Sequence, residues 1–181
     1  MSDNQTGVIV LAAGLGTRMK SSLPKALQPI GGRPMVGHLM ATLGGLEAAR
    51  TIVVVGPDME AVAAAVAPAR TAVQPDRLGT ADAVKAARDA MQGLGGTVLI
   101  VFADTSLIRR ETLARMIAAR EAGAAVVVLG FRPQAKADYG RLITAADGAL
   151  ERIVEAGDAT PEELGIDLCN SGVMAVDGAA L

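Results

Sequence analysis

Residues 8–25 of the chain read VIVLAAGLGTRMKSSLPK, and this stretch decides how the first part of the chain folds. It begins with a continuous apolar run rich in β-branched side chains, which predicts a strand buried on both faces. Two alanines and two glycines follow, so the backbone amides of the turn can approach a ligand closely. Arg18 and Lys25 bring two positive charges to the same loop. Such a loop is suited to binding a polyphosphate.

The glycines of this loop form neither of the common phosphate-binding fingerprints. Gly14 and Gly16 match the first two glycines of the dinucleotide-binding pattern, but Met19 occupies the position of the third. That pattern requires a helix directly after the turn, whereas three prolines delay the first helix to about Pro34. The P-loop pattern, in which Gly-Lys-Ser/Thr follows a glycine and four spacer residues, is absent from the sequence. We therefore predict a long loop that wraps around phosphate groups.

Composition is typical of a globular protein and disfavours several kinds of partner. The 181 residues suffice for one domain with a sizeable core, and 51% of them are hydrophobic and 20% charged. A net charge of −2 and an aromatic content of 2% disfavour nucleic acid as a partner. We expect neither a signal peptide nor a membrane span, and the single cysteine favours a reducing cytoplasm. The chain is therefore expected to be cytoplasmic, with small-molecule substrates and without nucleic acid or membrane partners.

Apolar runs alternate with helical patterns over the first 130 residues. Buried strands are predicted at residues 8–11, 51–55, 71–74, 97–103 and 124–129. Helices are predicted at residues 35–49, 59–67, 81–91 and 111–121, the second of them with Asp58 as its N-cap. Continuous apolar strands that alternate with helices indicate an α/β fold with a Rossmann-like, doubly wound and mostly parallel sheet.

The pattern changes after Gly130. Two segments joined by Asp147-Gly148 predict a β-hairpin over residues 139–155. A helical turn is expected at residues 161–164 and a last strand at residues 166–176. Within that strand, Asn170-Ser171-Gly172 predicts a bulge or a close approach of a ligand. A hairpin and an extra strand therefore follow the Rossmann-like part.

Polar residues and glycines follow the ends of several predicted strands. In open parallel sheets, ligands bind beyond the carboxyl ends of the strands, where the strand order switches direction. Gly14, Gln74, Gly79 and Asp104 occupy such positions, so we expect them to converge on one site. Asp104 is a candidate Mg²⁺ ligand, because Mg²⁺ prefers one or two carboxylates together with phosphate oxygens. The alternative is that Asp104 caps the helix that follows, and the phosphate-binding loop favours the metal.

The segment LAAGLGTRMKSSLPKAL, residues 11–27, resembles the signature of sugar-1-phosphate nucleotidylyltransferases. It is most similar to the pyrophosphorylase domain of bacterial bifunctional N-acetylglucosamine-1-phosphate uridylyltransferases, and the likeness extends from about Val8 to Val176. It implies transfer of a uridylyl group from UTP to N-acetylglucosamine 1-phosphate. The products would be pyrophosphate and UDP-N-acetylglucosamine, a precursor for cell-wall and lipopolysaccharide synthesis. The resemblance also implies Mg²⁺ as cofactor and a nucleotide-diphospho-sugar transferase fold.

The resemblance assigns a role to each matching residue. The residues implied to line the nucleotide are Leu11, Ala12, Ala13 and Gly14, and those implied to read uracil are Gln74, Gly79 and Thr80. Arg18 and Lys25 are implied to bind the phosphates in catalysis, and Asp104 to hold the metal. The residues implied to hold the amino sugar are Gly140, Glu155 and Asn170. No nucleophilic side chain is needed, because the phosphate of the sugar substrate can attack the α-phosphorus directly.

Three positions depart from the pattern of that family. Ala103 stands where a glycine is expected before the metal-binding aspartate, and its methyl group is expected to crowd the sugar. Ser106 replaces the usual proline after that aspartate. Leu15 stands where a lysine is frequent, so one phosphate contact is expected to be missing.

The resemblance divides the single domain into two parts. A nucleotide-binding part is expected at about residues 7–130, and the start of a sugar-binding part at about residues 131–181. We expect the sugar-binding part to be incomplete, and the oligomeric state stays open because the trimerising β-helix of the relatives is absent from the sequence. Two alternatives also stay open. One is a transferase for another base or sugar, such as a guanylyl-, cytidylyl- or thymidylyltransferase, and the other is a nucleotide-binding fragment without full activity.

Overall fold

The computed structural model describes residues 5–16, 19–134 and 138–181. The chain divides into two compact units, the first formed by residues 1–127 and 174–181 and the second by residues 128–173. The boundary near residue 128 lies close to the one expected between the two parts. Residues 174–181 were expected to belong to the sugar-binding part, but they belong to the first unit.

The first unit is an α/β unit. Its strands are β1 (Gly7–Leu11), β2 (Pro29–Ile30), β3 (Arg33–Pro34), β4 (Arg50–Val55), β5 (Arg70–Val73), β6 (Thr97–Phe102) and the start of β7 (Val126–Phe131). Its helices are α1 (Met35–Gly44), α2 (Glu60–Ala65), α3 (Thr80–Ala86), α4 (Arg88–Met91) and α5 (Arg110–Glu121). The longest described helix, α5, has 12 residues, and none of the described helices has the length and hydropathy of a membrane span.

The second unit is built on a β-hairpin. After the last residues of β7, it contains β8 (Arg141–Thr144), β9 (Leu150–Val154), α6 (Pro161–Gly165) and the first residues of β10 (Cys169–Asp177). Strands β8 and β9 pair antiparallel, with Arg141 opposite Val154. In the turn between them, Gly148 has a φ of +85°. The hairpin predicted from Asp147-Gly148 is confirmed.

The sheet of the first unit has the strand order β5-β4-β1-β6, and these four strands are parallel. The chain passes from β1 through β4 to β5 in one direction and then returns to place β6 on the other side of β1. The order therefore switches between β1 and β6, which is where such a sheet binds ligands. The last residues of β10 pair antiparallel with β6, with Met174 opposite Ile100, and this pairing brings residues 174–181 into the first unit. The predicted doubly wound, mostly parallel sheet is confirmed.

Both faces of the central strands are buried, which explains their continuous apolar sequences. The residues packed on one face are Ile9, Leu11, Ile52, Val54, Val98 and Ile100 of the strands and Ala83, Ala87, Met91 and Leu94 of the segment that follows β5. The alternate strand residues Val8, Val10, Val53 and Val101 are also inaccessible to solvent. This two-sided burial holds the carboxyl ends of the strands in fixed positions.

Ile9→Ala is expected to lower the free energy of unfolding by about 2–5 kcal/mol, because it leaves a cavity in the centre of the sheet core. Ile9 is fully buried, between Ile52 and Ile100 on the neighbouring strands. Chemical denaturation of the wild type and the variant measures the difference. The control is Val126→Ala, at a half-exposed position, which should change the free energy by less than about 0.5 kcal/mol. Equal effects of the two substitutions would contradict this account of the core.

Some helix boundaries differ from those predicted, each for a local reason. Helix α1 ends at Gly44 and not at residue 49, because the glycine pair 44–45 disfavours helix. Helix α2 begins at Glu60, and Asp58, the predicted N-cap, instead has a φ of +58° and forms no cap. The helix predicted at residues 81–91 is divided at Ala87 into α3 and α4.

Candidate nucleotide-binding site

A cavity of about 260 Å³ lies at the carboxyl ends of β1 and β6 in the first unit. Nine of the predicted site residues line it, namely Leu11, Ala12, Ala13, Gly14, Lys25, Gln74, Gly79, Thr80 and Asp104. It is also lined by Ala26, Arg77, Ala83, Phe102 and Ala103. These residues follow the ends of β1, β5 and β6, so the distant segments converge at the switch in strand order.

One wall of the cavity is the extended backbone that continues β1. The Ala12 N–H donates to the carbonyl oxygen of Val54 at 2.8 Å, and the Ala103 N–H donates to that of Leu11 at 3.0 Å. These bonds continue the ladders with both neighbouring strands beyond β1. A Cβ atom at Gly14 would have no neighbouring atom within 4 Å. The wall therefore leaves space for a ligand beside the backbone.

Gly16 allows Lys25 to approach the cavity. Its φ of +66° lies in the left-handed region that favours glycine. A Cβ atom at Gly16 would lie 2.7 Å from the Cβ atom of Lys25, which is closer than two such atoms can approach. Lys25 itself starts a short 3₁₀ helix, Lys25–Leu27, after Pro24. Position 16 therefore requires glycine both for its own conformation and for the position of the lysine.

Lys25 and Asp104 form an ion pair at the cavity, between Nζ and Oδ2. The side chains are 39% and 33% exposed, so both remain accessible to a ligand. Asp104 does not cap the helix that follows, because the N-cap of α5 is Arg109. Side by side, the two groups offer hydrogen-bond donors for a phosphate and an oxygen ligand for a cation.

Asp104 is the one carboxylate among the described residues that line the cavity. Within residues 5–16, 19–134 and 138–181, no three His, Cys, Asp or Glu side chains cluster in a way that could hold a metal ion. In phosphate-transfer sites, Mg²⁺ usually binds one or two carboxylates together with substrate phosphates and water. A single carboxylate beside the Lys25 ammonium group therefore fits a magnesium ion that binds together with a nucleotide.

Gln74 is only 3% exposed and connects the residues predicted to read the base. Its backbone N–H donates to the carbonyl oxygen of Val55 at 2.8 Å. Its side-chain Nε2 donates to the carbonyl oxygen of Gly79 at 3.2 Å and to Oδ2 of Asp82 at 2.7 Å. Gly79 has a φ of +112° and precedes α3, which begins at Thr80. Gln74, Gly79 and Thr80 thus form one connected group at the cavity.

Arg77 is a cavity residue that was not predicted from the sequence. Its Nε donates to the carbonyl oxygen of Ala13 at 3.0 Å. Its guanidinium group packs over Gly56, where a Cβ atom would lie 2.5 Å from Nη2. Arg77 therefore connects the loop after β5 to the extended backbone that follows β1. The sequence could have indicated Arg77 as a site residue, because it is a basic residue between Gln74 and Gly79, in the loop that supplies other site residues.

The remaining predictions for the first unit fall into two groups. Arg18, predicted to bind phosphate, lies outside the described residues. Among the positions that depart from the family pattern, Leu15 is half exposed and Ala103 lines the cavity. Ser106 is 5% exposed, and its hydroxyl has no hydrogen-bond partner among the described residues. The expected effects of these departures on substrate binding stay predictions.

In the second unit, the residues predicted to hold the amino sugar lie close together. The Asn170 N–H donates to the carbonyl oxygen of Gly140 at 2.8 Å. A Cβ atom at Gly140 would lie 3.2 Å from a carboxylate oxygen of Glu155, so glycine lets this carboxylate approach the backbone. Oδ1 of Asn170 accepts a hydrogen bond from the Gly172 N–H at 2.8 Å, and Gly172 has a φ of +81°. This local turn lies where the sequence predicts a bulge or a close approach of a ligand, and that interpretation stays a prediction.

Other polar residues have structural roles. Thr160 and Glu163 form a capping box at the start of α6. The Thr160 backbone N–H lowers the pKa of the Glu163 carboxyl; burial opposes this shift, and Arg152 adds to it. A ring nitrogen of His38 lies 2.8 Å from a backbone carbonyl oxygen. Cys169 is buried and free.

The fold and the cavity define an α/β domain of the nucleotidyltransferase type. Residues 8–159 match the family model of the MobA-like NTP transferase domain, and the chain belongs to that family. Its sequence is 59% identical over 179 residues to the bifunctional protein GlmU of Rhodospirillum rubrum, which covers 98% of this chain and 40% of that protein. It is 55% identical over 183 residues to GlmU of Paramagnetospirillum magneticum, covering 100% of this chain and 40% of that protein. The resemblance found from residues 11–27 is thereby confirmed, and the chain spans about two fifths of the length of these relatives.

Solved structures show the same fold at low sequence identity. A UDP-glucose pyrophosphorylase complexed with UDP-glucose superposes with a TM-score of 0.75 at 15% identity, covering 97% of this chain and 77% of that one. The 4-diphosphocytidyl-2C-methyl-D-erythritol synthase of Anaerococcus prevotii superposes with a TM-score of 0.69 at 16% identity, covering 98% of this chain and 72% of that one. These likenesses support the predicted Rossmann-like fold.

Proposed function

We propose that the chain transfers a uridylyl group from UTP to N-acetylglucosamine 1-phosphate, giving UDP-N-acetylglucosamine and pyrophosphate. The observation that carries this proposal is the cavity, in which nine residues matching the nucleotidylyltransferase pattern meet. The 59% identity to a GlmU protein supports the choice of uridylyl donor and amino-sugar acceptor. The reaction would take place in the cytoplasm and supply cell-wall and lipopolysaccharide precursors.

In the proposed reaction, the segment Leu11–Gly14 and the group around Gln74 hold the uridine of UTP. Lys25 and Arg18 neutralise the phosphates. An oxygen of the sugar phosphate then attacks the α-phosphorus, the bond between this phosphorus and the bridging oxygen to the β-phosphate breaks, and pyrophosphate leaves with the electron pair. Alignment of the reacting groups and neutralisation of their charge lower the barrier, so no general base is required.

Asp104 would hold Mg²⁺ together with the triphosphate, and the ion would supply further positive charge at the phosphates. Lys25 would then exchange Asp104 for a phosphate oxygen as its partner. The two groups already lie at the same cavity, so this exchange requires only a side-chain movement. In the second unit, we propose that Gly140, Glu155 and Asn170 contact the amino sugar of the acceptor.

The proposal is tested by measuring pyrophosphate release from the 181-residue chain with matched panels of substrates. UTP, CTP, GTP and dTTP are each combined with N-acetylglucosamine 1-phosphate and with glucose 1-phosphate, with and without Mg²⁺. We expect the highest kcat/KM for UTP with N-acetylglucosamine 1-phosphate in the presence of Mg²⁺. A preference for another triphosphate would instead support the alternative base specificity. Tight UTP binding in calorimetry without pyrophosphate release would support a nucleotide-binding fragment.

Gly16→Ala is expected to lower kcat/KM for UTP about tenfold or more, because the added Cβ atom would displace Lys25 from the cavity. A matched control is Gly148→Ala, which also replaces a glycine of positive φ but in the second-unit hairpin, where a Cβ atom would meet no atom within 4 Å. Both variants are expected to be less stable, whereas only Gly16→Ala should lose activity per folded molecule. Equal kcat/KM values in the two folded variants would show that Gly16 is not required to position Lys25.

A further inference from the structure

The side-chain amide of Gln74 is held in one orientation by two oxygen atoms. The carbonyl oxygen of Gly79 and Oδ2 of Asp82 lie 3.2 and 2.7 Å from its nitrogen. Both oxygens are acceptors, so both require the amide nitrogen and not the amide oxygen on their side. If the amide were flipped, two acceptor oxygens would face Oε1 and both hydrogen bonds would be lost. The geometry therefore determines which atom of Gln74 remains for a ligand.

The remaining atom is Oε1, which is a hydrogen-bond acceptor. Among the described residues, none donates a hydrogen bond to it, and it does not belong to the fully enclosed polar atoms that lack a partner. Gln74 lines the cavity, whereas Asp82 is not one of the described residues that line it. Asp82 thus acts on the cavity only through the Gln74 amide.

We propose that Asp82 is a positioning residue that sets the base specificity of the cavity by fixing the Gln74 amide with its oxygen towards the ligand. This inference deepens the proposed function and rests on it, since it assumes that the cavity binds a pyrimidine nucleotide. An acceptor oxygen favours a base that presents an imide N–H, as uracil does at N3. It disfavours a base with an unprotonated ring nitrogen at that place, as in cytosine, because two acceptors would face each other.

The position of Asp82 suits this role. It lies in the first turn of α3, is partly buried, and is joined to Gln74 by the shorter of the two hydrogen bonds. A hydrogen bond to a carboxylate is stronger than one to a neutral carbonyl. Asp82 therefore contributes more to the amide orientation than Gly79 does, and its removal leaves the weaker of the two contacts.

The test compares binding of UTP and CTP to the wild type and to Asp82→Leu by isothermal titration calorimetry, without sugar phosphate. Leucine has the same branching at Cγ, is somewhat larger and carries no acceptor. We expect the ratio of the two dissociation constants, CTP over UTP, to fall by about tenfold or more, which matches the loss of one charge-assisted hydrogen bond. UTP should bind more weakly and CTP no more weakly than before. Asp82→Asn, which keeps an acceptor oxygen but not the charge, should show a smaller fall in the ratio.

The control is Asp89→Leu on α4, where an exposed carboxylate is removed outside the cavity lining; its ratio should equal that of the wild type. An unchanged ratio in both Asp82 variants, or an equal loss of affinity for UTP and CTP, would overturn the role of Asp82 while leaving the proposed function intact. Equal binding of UTP and CTP by the wild type, or no binding of either, would overturn both proposals.

Discussion

Lys25→Ala is expected to lower kcat for pyrophosphate release by about a hundredfold or more. The lysine is held beside the cavity by the close approach of Gly16 and by its ion pair with Asp104. In a reaction whose transition state spreads negative charge over phosphate oxygens, removal of one preorganised positive charge costs about two to three decades of rate. Steady-state kinetics with UTP and N-acetylglucosamine 1-phosphate measure the effect.

The fold of the Lys25→Ala variant should be retained, because a partly exposed ion pair contributes little to stability. Lys85→Ala, which removes an exposed lysine from α3, is the matched control and should leave kcat unchanged. Lys25→Met keeps the aliphatic stem without the charge, so it separates the charge from the packing. Near-normal kcat in folded Lys25→Ala and Lys25→Met would show that the charge of Lys25 does not contribute to catalysis.

Asp104→Asn is expected to lower kcat by about a hundredfold and to raise the Mg²⁺ concentration required for half-maximal activity. Asparagine has nearly the same shape but lacks the negative charge that Mg²⁺ prefers in its ligands. Asp104 supplies the one carboxylate among the described cavity-lining residues, so no neighbouring acid there can substitute for it. A titration of activity against Mg²⁺ at saturating UTP measures both effects.

Asp58→Asn makes the same chemical change at an exposed position whose φ is +58°, a conformation that asparagine adopts readily. It should leave both kcat and the Mg²⁺ requirement unchanged. If Asp104→Asn loses activity but keeps the wild-type Mg²⁺ requirement, Asp104 is not the metal ligand, and its contact with Lys25 would be its main role.

The fold could be predicted largely because its central strands are buried on both faces. Continuous apolar runs identified β1, β4 and β6, and their alternation with helices indicated a parallel sheet. Helix ends were predicted less well, because they depend on single residues such as Asp58, whose local backbone conformation is not encoded by residue type alone. The return of residues 174–181 to the first unit was also missed, since it depends on long-range pairing with β6.

The site could be predicted where residues follow strand ends, because the sheet fixes where those ends meet. Gly14, Gln74 and Asp104 were placed together on this basis, and the cavity contains all three. The contacts made by Arg77 and Asp82 could not be predicted, because they depend on how the loop after β5 folds back on the wall and on α3. The ion pair between Lys25 and Asp104 likewise depends on loop conformation.

A crystal structure of the chain with UTP and Mg²⁺ would test the central claim most directly. We predict that the uracil lies against Gln74 and Gly79 and that the phosphates lie between the backbone after Gly14 and the side chains of Lys25 and Asp104. A nucleotide bound at another site, such as the groove lined by Arg33 and Arg70, would contradict this account of the cavity.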